Sequence, residues 1–213
     1  MKQILEKRNI STEIKQIDTE SRKISGLAIP VESRSELLSG KLRGKEVYFY
    51  ETISREAVND DLIKTMDVKL YLNHDSSQGT FARSKYGIGS LHLFITERGL
   101  EFETELPNTV FGDTLLEGIR RGDYDAMSFC FAPGQNVWDE NADGTYDRTI
   151  RSIDILDECS ILSCAPAYSD TDVNLRSLET YVDEKDRLEE ERKISILTKL
   201  DERLHEIKEI TKI

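Results

Sequence analysis

Glycine and proline are confined to the first part of the chain, and this distribution constrains the fold more than any other feature of the sequence. All 12 glycines and all 4 prolines lie before residue 167, and the stretch from Leu178 to Ile213 contains neither. Because both residues interrupt helices, a charged stretch without them favours one continuous helix. The sequence therefore predicts two regions, a folded body over residues 1–176 and a helical tail over residues 177–213.

The tail has the apolar spacing of an amphipathic helix. Its recurring apolar residues are Leu188, Ile194, Leu197, Leu200, Leu204, Ile207 and Ile210. From Leu197 onward the steps between them are three, four and three residues, as in a heptad seam. We interpret the tail as a protruding amphipathic helix that forms a coiled coil with another chain or remains a solvated dimerisation helix.

Short β-like segments outnumber helical ones in the body. Strand patterns occur at residues 10–29, 47–53, 68–74, 89–96, 100–106, 126–131 and 148–164. Helical spacing follows Ser54 as far as Lys64, and a second helix runs from Asn108 or Thr109 to Arg121. A turn at Glu97–Gly99 between two strand patterns indicates antiparallel pairing. We therefore predict a body that is mainly β with some α, an α+β fold around one core.

Charge and composition exclude several functional classes. The net charge of -12 argues against a general nucleic-acid binder, because phosphate contacts need clustered Lys and Arg. The first ten residues, MKQILEKRNI, resemble neither a secretory signal nor a membrane anchor, so we expect no membrane partner and a cytoplasmic protein. The 3 cysteines, in apolar stretches, fit buried thiols in a reducing compartment.

Nucleophilic catalysis by a hydroxyl requires a base within hydrogen-bond reach, and the body offers few histidines. They are His74 and His92, since His205 lies in the tail. A period of two places His74 on the apolar face of the strand at 68–72, where an active-site loop commonly begins. A strand-end histidine satisfied by Asp75 would have the same pattern, and His92 fits a solvent-facing strand position. The pattern alone leaves the base undecided.

One candidate nucleophile is Ser128, which lies in the strand Ala126–Phe131. Alternation puts Met127 and Phe129 on one face and Ser128 on the other, away from the bulky apolar side chains. No G-x-S-x-G elbow surrounds this serine, so its own sequence context is a weak signal. Cys130 has no cationic neighbour in the sequence that would lower its pKa, and we interpret it as an inert packing residue.

Three blocks of sequence carry a specific resemblance. They are LYLNHD at residues 70–75, MSFCF at 127–131 and LDECSILSCAPAY at 156–168. In this order and spacing they resemble the signature blocks of the prohead (procapsid maturation) serine protease family of tailed viruses. Further similar segments are Tyr50–Ile53, Glu97–Phe102 and Leu116–Asp123, and the similarity spans about residues 24–177. This family resembles the herpesvirus assemblins, so the resemblance implies a small antiparallel β-barrel ringed by short helices, followed by the C-terminal amphipathic helix.

The resemblance also implies roles for individual residues. His74 corresponds to the family's general base, Ser128 to its nucleophile and Glu158 to the acid that orients the histidine. Asp157 is a competitor for the third role, because strand alternation lets only one of these two neighbours point at His74. Alternation groups Glu158 with Leu156 and Asp157 with the residues on the opposite face. We expect the acid to be Glu158.

The oxyanion donors are less well defined by the sequence. Backbone N–H groups next to Ser128, such as that of Phe129, are the physical default. The resemblance adds Arg83, because assemblin-like sites use an arginine. Here Ala82 replaces the glycine that usually precedes it, so a surface ion pair is the alternative interpretation of Arg83.

No metal or cofactor is expected. The segment from Asp139 to Gly144 resembles the start of a calcium-binding loop, but Ile150 stands where a bidentate glutamate is required. We interpret this segment as a hairpin turn.

The resulting functional hypothesis is a serine endopeptidase that acts inside a viral procapsid in the host cytoplasm. The resemblance implies that its substrates are the major capsid protein, the scaffold protein and the protease itself, and that the tail is an anchor to scaffold or shell, or is removed by self-cleavage. Two alternatives remain at this stage. One is an inactive assembly or scaffolding protein that keeps the protease fold, and the other is an esterase that uses the same triad.

Overall fold

The computed structural model describes residues 4–11, 14–16, 21–163 and 175–210. It divides into two compact units, residues 1–174 and residues 175–213. The strands of the first unit are β1 (Glu6–Ser11), β2 (Lys15–Gln16), β3 (Lys23–Pro30), β4 (Leu38–Leu42), β5 (Lys45–Ile53), β6 (Asp67–Leu72), β7 (Ala82–Lys85), β8 (Ile88–Gly89), β9 (Leu91–Thr96), β10 (Gly99–Glu105), β11 (Ala126–Pro133), β12 (Asn136–Glu140), β13 (Tyr146–Ile150) and β14 (Ile153–Leu162). Its helices are α1 (Asp60–Thr65) and α2 (Val110–Arg121), and the second unit contains α3 (Arg176–Ile210).

The strands form three sheets. The largest has the order β1-β11-β14-β6-β7-β8, and the others have the orders β2-β3-β10-β9 and β12-β13-β5-β4. Pairing is antiparallel throughout the described strands except between β14 and β6 and between β13 and β5. The mainly β fold with helices is therefore confirmed. No described sheet closes on itself, so the barrel that the resemblance implied is not confirmed.

One face of the largest sheet forms part of the hydrophobic core. Met127, Phe129 and Phe131 on β11 pack there with Cys159 and Ile161 on the neighbouring strand β14. The predicted alternation of β11 is thus confirmed, and Ser128 and Cys130 lie on the opposite face.

The two helices of the body begin at residues with capping signals. Asn59 caps α1 by accepting a hydrogen bond from the Leu62 N–H, although the Ser54–Lys64 segment starts with a 3₁₀ turn rather than with α-helix. Thr109 caps α2 in the same way, and Gly122 ends it in the left-handed conformation. The predicted bounds of the second helix are confirmed.

Four buried charged residues connect the largest sheet to the sheet that contains β5 and β13. This buried ion quartet consists of Glu6 and Arg8 on β1, Glu51 on β5 and Arg148 on β13, all at most 5% exposed. Arg8 Nε lies 2.6 Å from Glu51 Oε1, and Arg148 Nη1 lies 2.8 Å from Glu6 Oε2. Because two guanidinium groups face two carboxylates, the buried charges balance.

The tail is helical over 35 residues, as predicted, from Arg176 to Ile210. Its described apolar residues from Leu188 to Leu204 are each more than half exposed. The side chains of Ile207 and Ile210 lie outside the described residues. The coiled coil and the boundary between the two predicted regions remain predictions. Among the described helices, none is long and apolar enough to cross a membrane.

Candidate active site

Ser128 and Ser160 lie side by side on the face of the largest sheet that points away from the core. Ser128 on β11 is registered with Ser160 on β14, and both residues are fully buried. Among the described residues, the Ser128 hydroxyl has no hydrogen-bond partner, and it is therefore not hydrogen-bonded to His74. A buried hydroxyl without a partner is costly for the fold, which is a reason to look for a chemical role.

His74 lies in a tight turn at the end of β6. The strand ends at Leu72, and Asn73 and His74 follow with φ angles of 53° and 59°. The Asp75 N–H donates to the Leu72 carbonyl over 3.0 Å, which closes the turn. The prediction that His74 continues the apolar strand face was therefore wrong, because two left-handed residues interrupt the alternation. A left-handed residue other than glycine costs about 1–3 kcal/mol, and such residues cluster at functional sites.

The turn is held against β14 by backbone and side-chain hydrogen bonds. The Asn73 N–H donates to the Ile161 carbonyl over 2.9 Å, and the His74 N–H donates to Ser160 Oγ over 3.3 Å. The Asn73 amide oxygen accepts from the Ser163 N–H over 2.9 Å, and its nitrogen donates to Ser163 Oγ over 3.0 Å. These contacts offset the backbone strain and place the imidazole above β14.

The imidazole of His74 contacts the carboxylate of Glu158. The two atoms in hydrogen-bond contact are His74 Nδ1 and Glu158 Oε1. The Glu158 residue is 7% exposed and the histidine side chain 15% exposed. A carboxylate on Nδ1 favours the tautomer that carries its proton there, so Nε2 is left as the basic nitrogen.

Asp157 contacts a different side chain, although it neighbours Glu158. Its carboxylate lies 2.8 Å from Lys69 Nζ, and its side chain is 42% exposed. The β11–β14 register moves from Cys130 opposite Glu158 directly to Phe131 opposite Leu156, so Asp157 is the extra residue of a β-bulge. The predicted grouping of Glu158 with Leu156 was wrong, because the bulge shifts the alternation by one residue.

The two described cysteines near the site are poor nucleophiles. Burial, with the adjacent Glu158 carboxylate, raises the pKa of Cys130 to about 11. Burial likewise raises the pKa of Cys159 to about 12. Because the thiolate is the reactive form, neither group attacks a carbonyl efficiently near neutral pH. Cys164 and the last residues of the third sequence block lie outside the described residues.

The predicted oxyanion residues have other contacts. Arg83 on β7 forms an ion pair with Asp67, and its side chain is 49% exposed. Phe129 packs its ring in the core, and its backbone lies between β1 and β14 in the sheet. The described contacts of Arg83 match the surface ion pair, and the oxyanion role of either residue remains a prediction.

The other sequence candidates lie apart from these residues. His92 is exposed on β9, which belongs to a different sheet from Ser128. The acidic loop is the turn of the β12–β13 hairpin, as predicted, with Asp143 Oδ1 accepting from the Thr145 N–H over 3.0 Å. Within the described ranges, no group of three His, Cys, Asp or Glu side chains is arranged to hold a metal ion.

Sequence reasoning missed the supporting residues of this site. Ser160 and Ser163 were visible only as serines within the third block, and Asn73 only as the residue before the histidine. An asparagine after an apolar strand is a recognised signal for a left-handed turn, and it was the one available clue.

The chain was also compared with known proteins. The family model described as caudovirus prohead serine protease matches residues 10–185, a range that includes His74, Ser128 and Glu158. No curated protein and no solved structure matches the chain. The matched range covers well over half of the 213 residues. The chain therefore belongs to the caudovirus prohead serine protease family.

Proposed function

We propose that this chain is a serine endopeptidase in which Ser128 is the nucleophile, His74 the general base and Glu158 the acid that orients the imidazole. The observation that carries the proposal is the contact between His74 Nδ1 and Glu158 Oε1. Glu158 lies two residues before Ser160, which is paired with Ser128 on the adjacent strand. The chain is also a member of a serine protease family. A histidine fixed by a carboxylate is the partner that a weakly nucleophilic hydroxyl needs.

The reaction follows from these groups. His74 Nε2 removes the Ser128 proton as the hydroxyl oxygen attacks the peptide carbonyl, and Glu158 stabilises the resulting imidazolium. The imidazolium then gives the proton to the leaving amine, the C–N bond breaks and an ester to Ser128 remains. A water molecule, deprotonated by His74, hydrolyses the ester and restores the hydroxyl. Because Ser128 is fully buried in this conformation, substrate must gain access through a movement that exposes it.

The proposed substrates are the major capsid protein, through an amino-terminal extension, and the scaffold protein. A prohead protease acts inside the procapsid in the host cell, where these proteins surround it. Cleavage of the chain itself and self-association through the tail belong to the same proposal. Early cleavage of scaffold would prevent assembly of the shell, so a requirement for opening the Ser128 site would delay the activity.

The decisive experiment compares purified wild-type chain with Ser128→Ala during incubation with its capsid precursor and scaffold protein. Ser33→Ala, which changes an exposed serine, is the matched control. We expect cleavage by the wild type and the control and a loss of about 10⁴-fold or more in the Ser128 variant. Labelling by a serine-reactive fluorophosphonate should be lost only with Ser128.

Equal processing by Ser128→Ala and the wild type would refute the assignment of the nucleophile. No processing by any folded variant would favour the inactive assembly protein. Turnover of small esters without cleavage of either protein would favour an esterase.

A further inference from the structure

The backbone of His74, which carries the proposed base, adopts an unfavourable conformation. Two successive non-glycine residues, Asn73 and His74, adopt positive φ angles. Such a turn persists only when surrounding contacts determine it. The groups that fix this backbone therefore also fix where the imidazole lies relative to the sheet.

Ser160 is the one of these groups that also neighbours the nucleophile. Its Oγ accepts the His74 N–H over 3.3 Å, and its backbone is registered with Ser128 on the adjacent strand. It is fully buried on the face of the sheet that carries Ser128. A methyl group at this position would leave the His74 amide without its acceptor, so the hydroxyl has a specific use there.

Asn73 and Ser163 form a second attachment of the same turn. The Asn73 side-chain amide both accepts from and donates to Ser163, and the Asn73 N–H donates to the Ile161 carbonyl. The turn is thereby fixed at two successive residues, Asn73 and His74. A turn attached at one residue only could rotate about that point, whereas attachment at Asn73 and at His74 prevents this rotation.

We propose that Ser160 is a positioning residue for the proposed protease reaction, and that Asn73 and Ser163 assist it. Ser160 holds the His74 backbone so that the imidazole, already oriented by Glu158, lies toward Ser128. The inference rests on the proposed function. In this proposal Ser160 contacts neither the substrate nor the reacting atoms, and it acts by positioning the base His74.

The test uses the full chain with Ser160→Ala, Ser160→Thr, Asn73→Gly and Asn73→Ala. Glycine at residue 73 keeps the left-handed backbone without strain and removes only the side-chain attachment. Measurements are kcat and KM for a capsid-precursor peptide, the pH profile of kcat/KM, the rate of fluorophosphonate labelling and the Tm.

We expect Ser160→Ala to lower kcat about 10- to 100-fold with little change in KM, since a misplaced base costs about that much. The acidic limb of its kcat/KM profile, which reports protonation of the general base, should also shift, because the imidazole environment changes. Ser160→Thr should recover most of the activity, and Asn73→Gly should lose less activity than Asn73→Ala.

Wild-type kcat and an unchanged pH profile in folded Ser160→Ala and Asn73→Gly would overturn the inference. A lower Tm with unchanged kcat per folded molecule would make Ser160 a structural residue only, which also overturns it. If Ser160→Ala does not fold, Asn73→Gly and Asn73→Ala decide the question. Failure of the proposed function itself is recognised separately, because Ser128→Ala would then remain as active as the wild type.

Discussion

Two contacts between titratable side chains flank the strand that carries Ser128, and they differ in what they can do. On the β1 side, the buried ion quartet opposes two guanidinium groups to two carboxylates. On the β14 side, the single carboxylate of Glu158 contacts the single imidazole of His74. Arginine stays charged at every physiological pH, whereas histidine can gain and lose a proton. The first arrangement is suited to holding strands together and the second to moving protons.

The surroundings of the two regions support the same distinction. The Arg148 guanidinium lies 5.2 Å from the centre of the Trp138 ring, and that of Arg8 lies 5.5 Å from the centre of the Phe131 ring. The histidine at the other contact lies in a turn with positive φ, and its backbone N–H donates to Ser160, the residue registered with Ser128. Opposed charges and aromatic neighbours stabilise the quartet, although Arg148 Nε has no hydrogen-bond partner among the described residues. Backbone strain is the feature that marks the proposed catalytic region.

The largest expected effect tests the catalytic side of this comparison. Replacing Glu158 with glutamine removes the charge that fixes the His74 tautomer and stabilises the imidazolium. We expect kcat for capsid-precursor cleavage to fall about 10³- to 10⁴-fold, while chemical unfolding changes little. Single-turnover cleavage and urea unfolding of the same preparation measure both quantities. A variant that lost stability but kept its kcat would reverse the assignment of this contact.

A second substitution tests the structural side. Arg148→Met leaves Glu6 and Glu51 buried with only Arg8 to face them. We expect the free energy of unfolding to drop by about 3–5 kcal/mol, because one carboxylate then lacks compensation. Arg121→Met removes an exposed ion pair with Asp123 and is the matched control, with an expected loss of about 1 kcal/mol or less. If both variants lost the same free energy of unfolding, the quartet would stabilise the fold no more than a surface ion pair does.

Part of the pH dependence of stability should originate in the quartet. Burial alone would raise the pKa of Glu51, but the charges and hydrogen bonds of Arg8 and Arg148 outweigh it and lower that pKa below its ordinary value of 4.5. A carboxyl with a lowered pKa in the folded state stabilises the fold above its unfolded pKa. That contribution is lost as the pH falls through the folded pKa.

We therefore expect the free energy of unfolding to decrease as the pH is lowered from about 4.5, with a shallower dependence in Glu51→Gln. Urea unfolding at a series of pH values measures the two slopes. Identical slopes in the wild type and the variant would mean that other carboxyls cause the acid sensitivity.

Helix-capping residues and the alternation of apolar residues correctly predicted the parts of the fold that depend on neighbouring residues in the sequence. The cap at Thr109 and the glycine at residue 122 predicted where α2 begins and ends. The alternation of apolar residues predicted which side chains of β11 face the core. The contact of His74 with Glu158 was expected from the resemblance, on which the proposed roles also depend. These features need only a residue and its near neighbours, or a motif shared with a family.

Features that depend on distant partners were not predicted. Arg148 and Glu6 are 142 residues apart in sequence, so nothing in either segment indicates that their charges are buried together. The turn at His74 and the bulge at Asp157 both break a period of two, and a pattern cannot reveal where the neighbouring strand forces that break. The closed barrel was an expectation of the resemblance that the described sheets do not confirm.

The smallest expected effect separates the two acidic neighbours on β14. Asp157 forms an ion pair with Lys69 in which both side chains are partly exposed, and it does not contact His74 in the described structure. Asp157→Asn should therefore lower the free energy of unfolding by about 1 kcal/mol or less and change kcat by no more than about threefold. Glu158→Gln is its matched partner, because both substitutions replace a carboxylate with an amide at adjacent residues. If Asp157→Asn lost more kcat than Glu158→Gln under the same assay, the acid that orients His74 would be Asp157, and the bulge would have to rearrange when substrate binds.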